Sequence, residues 1–83
     1  MGNEKELIWT YWSLRRQNLE NNYSFFEDGT ILHHYDKTMK KINFEEYILP
    51  SEISEHEKDM ILTECEKQCS LEVFNQIKYI LKR

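Results

Sequence analysis

The apolar positions of this chain follow two different spacings. Short aromatic and β-branched runs, each bounded by polar residues, occupy the chain up to about residue 49, and a helical spacing takes over from residue 54. The clearest of the short runs is Tyr23 to Tyr35, Y-S-F-F-E-D-G-T-I-L-H-H-Y. An Asp-Gly pair flanked by strand-forming residues predicts a β-hairpin, because the favoured two-residue turn needs positive φ at both central positions. With Asp28 and Gly29 at the turn, Phe26 faces Ile31, Phe25 faces Leu32, Ser24 faces His33 and Tyr23 faces His34.

On either side of this hairpin the pattern is less decided. Glu6 to Arg16 reads as an amphipathic helix through Leu7, Ile8, Tyr11, Trp12, Arg15 and Leu19. It also reads as a strand, because Ile, Trp, Thr, Tyr and Trp in succession favour extended backbone. Strand is preferred: an isolated hairpin is marginal in water, and a third strand completes a sheet. Asn18 to Asn22 then becomes the turn into the hairpin. Asp36 to Lys41 is polar and predicts a loop. Ile42 to Leu49 fits a fourth strand, or one helical turn capped by Asn43 and stopped before Pro50, with a slight preference for strand.

The last third is helical. Ser54-Glu55-His56-Glu57 is a capping-box pattern, and the acids Glu55, Glu57 and Asp59 suit the positive end of a helix dipole. Ile61, Leu62, Cys65 and Cys69 form one stripe. After a break at Gln68 to Ser70, Val73, Phe74, Ile77, Ile80 and Leu81 form a second, ending in Lys78, Lys82 and Arg83, where cations are favoured. The expected fold is α+β: a small antiparallel sheet of three to four strands, its central hairpin turning at Asp28-Gly29, followed by two short C-terminal helices packed on one face. The chain is expected to be one small domain over residues 1–83, with a sheet region of about 6–49 and a helical region of about 54–82.

Composition narrows the class. At 83 residues, a chain this short has little core to spare, and four Phe, five Tyr and two Trp supply large buried area per residue. Two cysteines do not make a disulfide scaffold. No apolar run is long enough to cross a bilayer, and the polar start Met1 to Lys5, expected to fray, lacks the apolar core of a signal peptide, so the reading is cytoplasmic, with no membrane partner. Net charge is −4 but unevenly spread. From Ile42 to Glu72 nine acids face two lysines, a local balance of −7, while basic residues gather at Arg15-Arg16, at Lys37, Lys40 and Lys41, and at the C-terminal end.

No motif names an activity. There is no Gly-rich phosphate loop, nucleophile elbow or metalloprotease helix, so no catalytic residue and no cofactor are expected. A Cys–His pair and acid–base pairs among Glu45, Glu46 and His56 can be drawn on paper, but nothing marks a pocket around them. Cys65 and Cys69 would place two sulfurs on one helix face. His33 and His34 point to opposite sides of a strand, so a tetrahedral metal site would be one ligand short, and both cysteines read as core.

What remains is the distribution of aromatics. Both faces of the hairpin carry them, while two helices cover only one. The other face is closed by the N-terminal segment, by a copy of the protein or by a partner. The leading expectation is a non-enzymatic protein-interaction or accessory module, binding another protein or a copy of itself through an aromatic sheet face, a sheet edge or the acidic face. Trp9, Trp12, Phe26 and Tyr35 are its candidate contacts. The alternative, with nucleic acid the less favoured partner, is a platform for single-stranded nucleic acid built from Trp9, Tyr11, Trp12, Arg15 and Arg16.

Overall fold

A computed structural model describes residues 5–83. The expected polar start therefore lies almost wholly outside the described residues. Its last member, Lys5, is held: its Nζ donates to Asp28 Oδ2 at 2.7 Å and lies 5.0 Å from the centre of the Tyr47 ring. The chain divides into two compact units between Ile48 and Leu49, one of strands and one of helices.

The first unit is a four-stranded antiparallel sheet in the order β1-β2-β3-β4, with β1 at Leu7–Tyr11, β2 at Asn21–Phe26, β3 at Ile31–Tyr35 and β4 at Phe44–Ile48. Both undecided segments are strands. The α+β class, a sheet followed by two C-terminal helices, is as the pattern predicted.

Two local expectations are corrected. The turn into β2 lies at Arg16–Asn18, one short 3-10 turn with Gln17 and Asn18 at positive φ. Arg15 N donates across it to Leu19 O at 2.7 Å, so Asn21 and Asn22 are strand residues and not turn residues. The second correction is one of register. Gly29 N donates to Phe26 O at 2.9 Å and Phe26 N to Thr30 O at 3.1 Å, so Glu27, Asp28 and Gly29 form a three-residue loop. Gly29 has φ +90°, whereas Asp28 is not among the positive-φ residues, which excludes the two-residue turn and fits a type I turn closed by a left-handed glycine.

The slip is one residue: Phe25 pairs with Ile31, Ser24 with Leu32, Tyr23 with His33 and Asn22 with His34. Because side chains alternate, one step changes every cross-strand partnership and the faces they share. The expected grouping of Phe26 and Ser24 with Ile31, His33 and Tyr35 is therefore overturned. Tyr23 and Phe25 share their face with Ile31, His33 and Tyr35, and Ser24 shares the other with Leu32.

On the first of these faces the rows run Trp9-Phe25-Ile31-Ile48 and Tyr11-Tyr23-His33-Glu46. Phe25, Ile31, Tyr23 and Tyr11 are buried. Rings stack along this face: Tyr23 on His33 at 4.6 Å, His33 on Tyr35 at 4.5 Å, Tyr35 on Phe44 at 5.7 Å and Trp9 on Phe25 at 6.3 Å between centroids. His33 Nε2 lies 2.7 Å from Oδ1 of buried Asn21, which satisfies both polar groups.

At the end of the sheet Asp36 holds the loop to β4. Its carboxylate accepts from Glu20 N at 3.1 Å and Asn43 N at 2.9 Å, and its own N–H donates to Glu20 O. Those two amide hydrogen bonds, Asn43 first, hold its carboxyl below the usual carboxylate range, aided by the charges of His34 and Arg15.

The second unit contains α1, Glu55–Gln68, and α2, Leu71–Ile80. Ser54 Oγ accepts from Glu57 N at 3.1 Å and Ser70 Oγ from Val73 N at 3.2 Å, so each helix begins on a serine cap. The core of the unit includes Ile53, Ile61, Cys65, Ile77, Ile80 and Leu81. The end of α2 is a Schellman turn: Arg83 N donates to Lys78 O, Lys82 N to Tyr79 O, and Lys82 takes φ 64°. That turn brings Arg83 back to α1, where Nη2 meets Asp59 Oδ1 at 2.6 Å and Nη1 meets Glu55 Oε1 at 3.3 Å.

Candidate functional site

The second face of the sheet is the open one. Its rows are Thr10-Ser24-Leu32-Tyr47 and Asn22-His34-Glu45, with Trp12 beyond the end of β1 beside Asn22. Trp12 is 72% exposed, and Leu7, Leu14 and Tyr47 are also exposed.

Trp12 is presented there by hydrogen bonds that extend the β1–β2 pairing past Tyr11. Ser13 N donates to Asn22 Oδ1 at 3.0 Å, Ser13 Oγ donates to Asn21 O at 2.6 Å, and Leu14 bridges Glu20. Alternation around the pinned Ser13 sends Trp12 and Leu14 to the same side. Between them and β4 lies a groove of about 340 Å³, floored by Thr10, Ser24 and Leu32 and walled by Trp12, His34 and Glu45. It continues past Glu20 and Asn22 into a second depression of about 410 Å³ against Ser13 and Leu14.

The floor is polar but satisfied. The hydroxyls of Thr10 and Ser24 are hydrogen-bonded at 2.9 Å. Buried Asn22 donates through Nδ2 to Glu20 Oε1 at 3.1 Å, and His34 Nδ1 lies 3.6 Å from the same oxygen. Glu45, exposed on β4, makes no ion pair among the described residues. The groove thus carries two carboxylates, one imidazole and no Lys or Arg.

A third depression, of about 490 Å³, has the opposite sign. Arg15, Arg16 and Lys37 surround Leu19. Two of these cations have partners: Arg15 Nη2 donates to Asp36 O, and Lys37 Nζ lies 4.7 Å from the centre of the Phe44 ring.

The four residues expected as contacts are divided between the faces. Trp9 and Tyr35 lie on the stacked, inward face, Trp12 and Phe26 on the open one. The nucleic-acid set is divided too: Trp9 and buried Tyr11 point one way, Trp12 the other, and Arg15 and Arg16 line the cationic depression. Glu20, Asn22, Ser24 and His34 went unnoticed as a group. The signal for them is the alternation of Asn22 and Ser24 in β2, readable only in the correct register.

Elsewhere the chemistry is quiet. Burial, with Cys69 beside it, pushes the Cys65 thiol up to about 12, far from a nucleophile's range. Among the described residues no three His, Cys, Asp or Glu side chains are placed to hold a metal ion, and no helix is long and apolar enough to cross a membrane. The chain matches no protein-family model, no curated protein and no solved structure.

Proposed function

We propose that this protein is a non-enzymatic interaction module that docks another polypeptide on the open face of its sheet. The observation that carries this reading is the groove beside Trp12, an indole left 72% exposed at the rim of a concave surface and fixed there by the Ser13–Asn22 and Ser13–Asn21 hydrogen bonds. Tryptophan at such a position is the commonest kind of interface anchor, since a large rigid ring is buried at low entropic cost. The hydroxyl and amide groups of the floor are already paired within the sheet. This supports binding over chemistry.

The single-strand nucleic-acid reading has less support. A stacking platform needs neighbouring aromatics on one face with cations beside them, and Trp12 lies on the opposite face from Trp9 and buried Tyr11. The carboxylates in the groove also oppose a phosphate backbone.

A photoreactive residue in place of Trp12, introduced in the cells that make the protein, tests the proposal, with Tyr79 on α2, 85% exposed, as the comparison position. A discrete adduct from position 12 that position 79 does not give is expected. Light scattering of the purified protein then distinguishes a second copy from another polypeptide. No adduct at position 12 above the comparison would overturn the proposal.

A further inference from the structure

We infer that the groove on the open sheet face takes a cationic side chain, the guanidinium of an arginine in an extended partner segment, between the indole of Trp12 and the carboxylate of Glu20, with Glu45 receiving a second cation at the far wall. The inference rests on the docking reading and adds the chemistry of the partner.

Charge complementarity is the first support. The groove holds Glu20 and Glu45 and lacks any Lys or Arg, although the chain as a whole has eleven such residues. The sheet unit's basic residues lie elsewhere, Lys5 on Asp28, Arg15 on the Asp36 carbonyl, Lys37 over Phe44. Glu20 engages Oε1 with Asn22 and His34 and is still 46% exposed on its side chain, so it can accept from an incoming donor. Glu45 has no competing cation among the described residues.

Trp12 is the second support. It lines both depressions together with Glu20, and an exposed indole face beside a carboxylate is the arrangement that holds a planar cation best. Arginine fits better than lysine, because its flat guanidinium stacks on a ring while its edge forks to a carboxylate. Spacing sets the reach. Trp12 lies beside β2 residue Asn22 on the β1 side, and Glu45 is on β4, so the two walls stand three strand spacings apart, about 14 Å. An extended segment crosses that distance in about four residues.

The experiment is a titration of the full isotope-labelled chain with acetyl-Gly-Arg-Gly-Gly-Gly-Arg-Gly-amide, followed by amide and indole shifts. The same peptide with citrulline, which keeps the shape and removes the charge, is run beside it. Expected are saturable shifts at the Trp12 indole and at Thr10, Ser24 and His34, weakened about tenfold with citrulline, about tenfold in Trp12→Ala and several-fold in Glu20→Gln and Glu45→Gln. Glu66→Gln, at an exposed position of α1, is expected to bind as the wild type does. Each variant's spectrum reports its own fold, and Trp12 and Glu45 are exposed enough to be replaced without disturbing a core.

Equal binding of the citrulline peptide, or shifts spread over all acidic surfaces with none favoured in the groove, would overturn the inference. If these peptides fail while position 12 still crosslinks to a discrete partner, the docking face stands and the cationic partner falls. If position 12 gives no adduct either, both fall.

Discussion

The two faces of this sheet are built from alternate residues of the same four strands, yet they have little in common. One is a continuous stack of rings, Trp9 on Phe25 and Tyr23 on His33 on Tyr35 on Phe44, with Phe25 and Ile31 completely or almost completely removed from solvent. The other keeps Trp12, Leu7 and Tyr47 in water around a floor of paired hydroxyls and amides. The contrast shows why aromatic content alone is a poor guide to a binding surface. On the stacked face an aromatic residue contributes area and ring contacts to the fold. On the open face Trp12 and Tyr47 remain exposed and bury little area.

The largest expected effect separates the faces outright. Phe25→Ala should destabilise the protein by about 3–5 kcal/mol in urea denaturation, the usual cost of emptying a fully buried phenylalanine site. Trp12→Ala should stay within about 0.5 kcal/mol of the wild type, as exposed substitutions do. A large loss in Trp12→Ala would mean that the open face is core, and the docking proposal would lose its anchor.

Adjacent histidines give a finer comparison. His33 is stacked between Tyr23 and Tyr35 and bonded to buried Asn21, so His33→Ala removes two ring contacts and a buried hydrogen bond, a cost of about 1–3 kcal/mol. His34 looks into the groove, and His34→Ala should cost about 0.5 kcal/mol or less. If the two costs were reversed, the pairing of Tyr23 with His33 would be wrong by one residue.

That pairing depends on Gly29. No atom stands within 4 Å of where its Cβ would be, so Gly29→Ala tests backbone strain at φ +90° and nothing else. A loss of about 1 kcal/mol is expected, because only glycine adopts this conformation without penalty. No loss would mean that residue 29 does not need the left-handed backbone, against the three-residue loop and the two-residue turn alike.

The smallest effect is the acid response at the sheet end and the hairpin loop. Asp36 is held low by its amide hydrogen bonds, and Asp28 is lowered to about 2, first by the Lys5 ammonium and then by Thr30. With folded values below unfolded ones, the native state binds fewer protons than the unfolded chain as the solution is acidified. The stabilisation is therefore complete above the ordinary carboxylate range and is lost as pH falls through the depressed values. Asp36→Asn should lower the urea midpoint at pH 7 and narrow the difference between pH 7 and pH 2.5. An unchanged difference would remove Asp36 from the account.

The legible and illegible parts of the molecule divide along a physical line. The Ser54 cap, the apolar stripe of α2 and the β-rich runs are local patterns, and the structure contains them where the pattern placed them. The Asn-rich segment misled because asparagine favours turns when nothing else satisfies its amide. Here Asn22 finds Ser13 and Asn21 finds His33 across strands, and those partners exist only once the strands have paired. For the site, Trp12 and Phe26 were recognisable as aromatics worth following, but so were Trp9 and Tyr35, which the fold turns inward.

The amino-acid pattern by itself determined the central hairpin, the helical last third and the start of its first helix, and that residues 28 and 29 lie in a turn, while residues 6–16 and 42–49 only leaned to strand. Tertiary structure decided which side chains share a face. An Asp-Gly pair suits a two-residue turn and a three-residue turn alike, and the choice moves the pairing by one residue. With side chains alternating at a period of two, that single step separates a stacked ring from an exposed one.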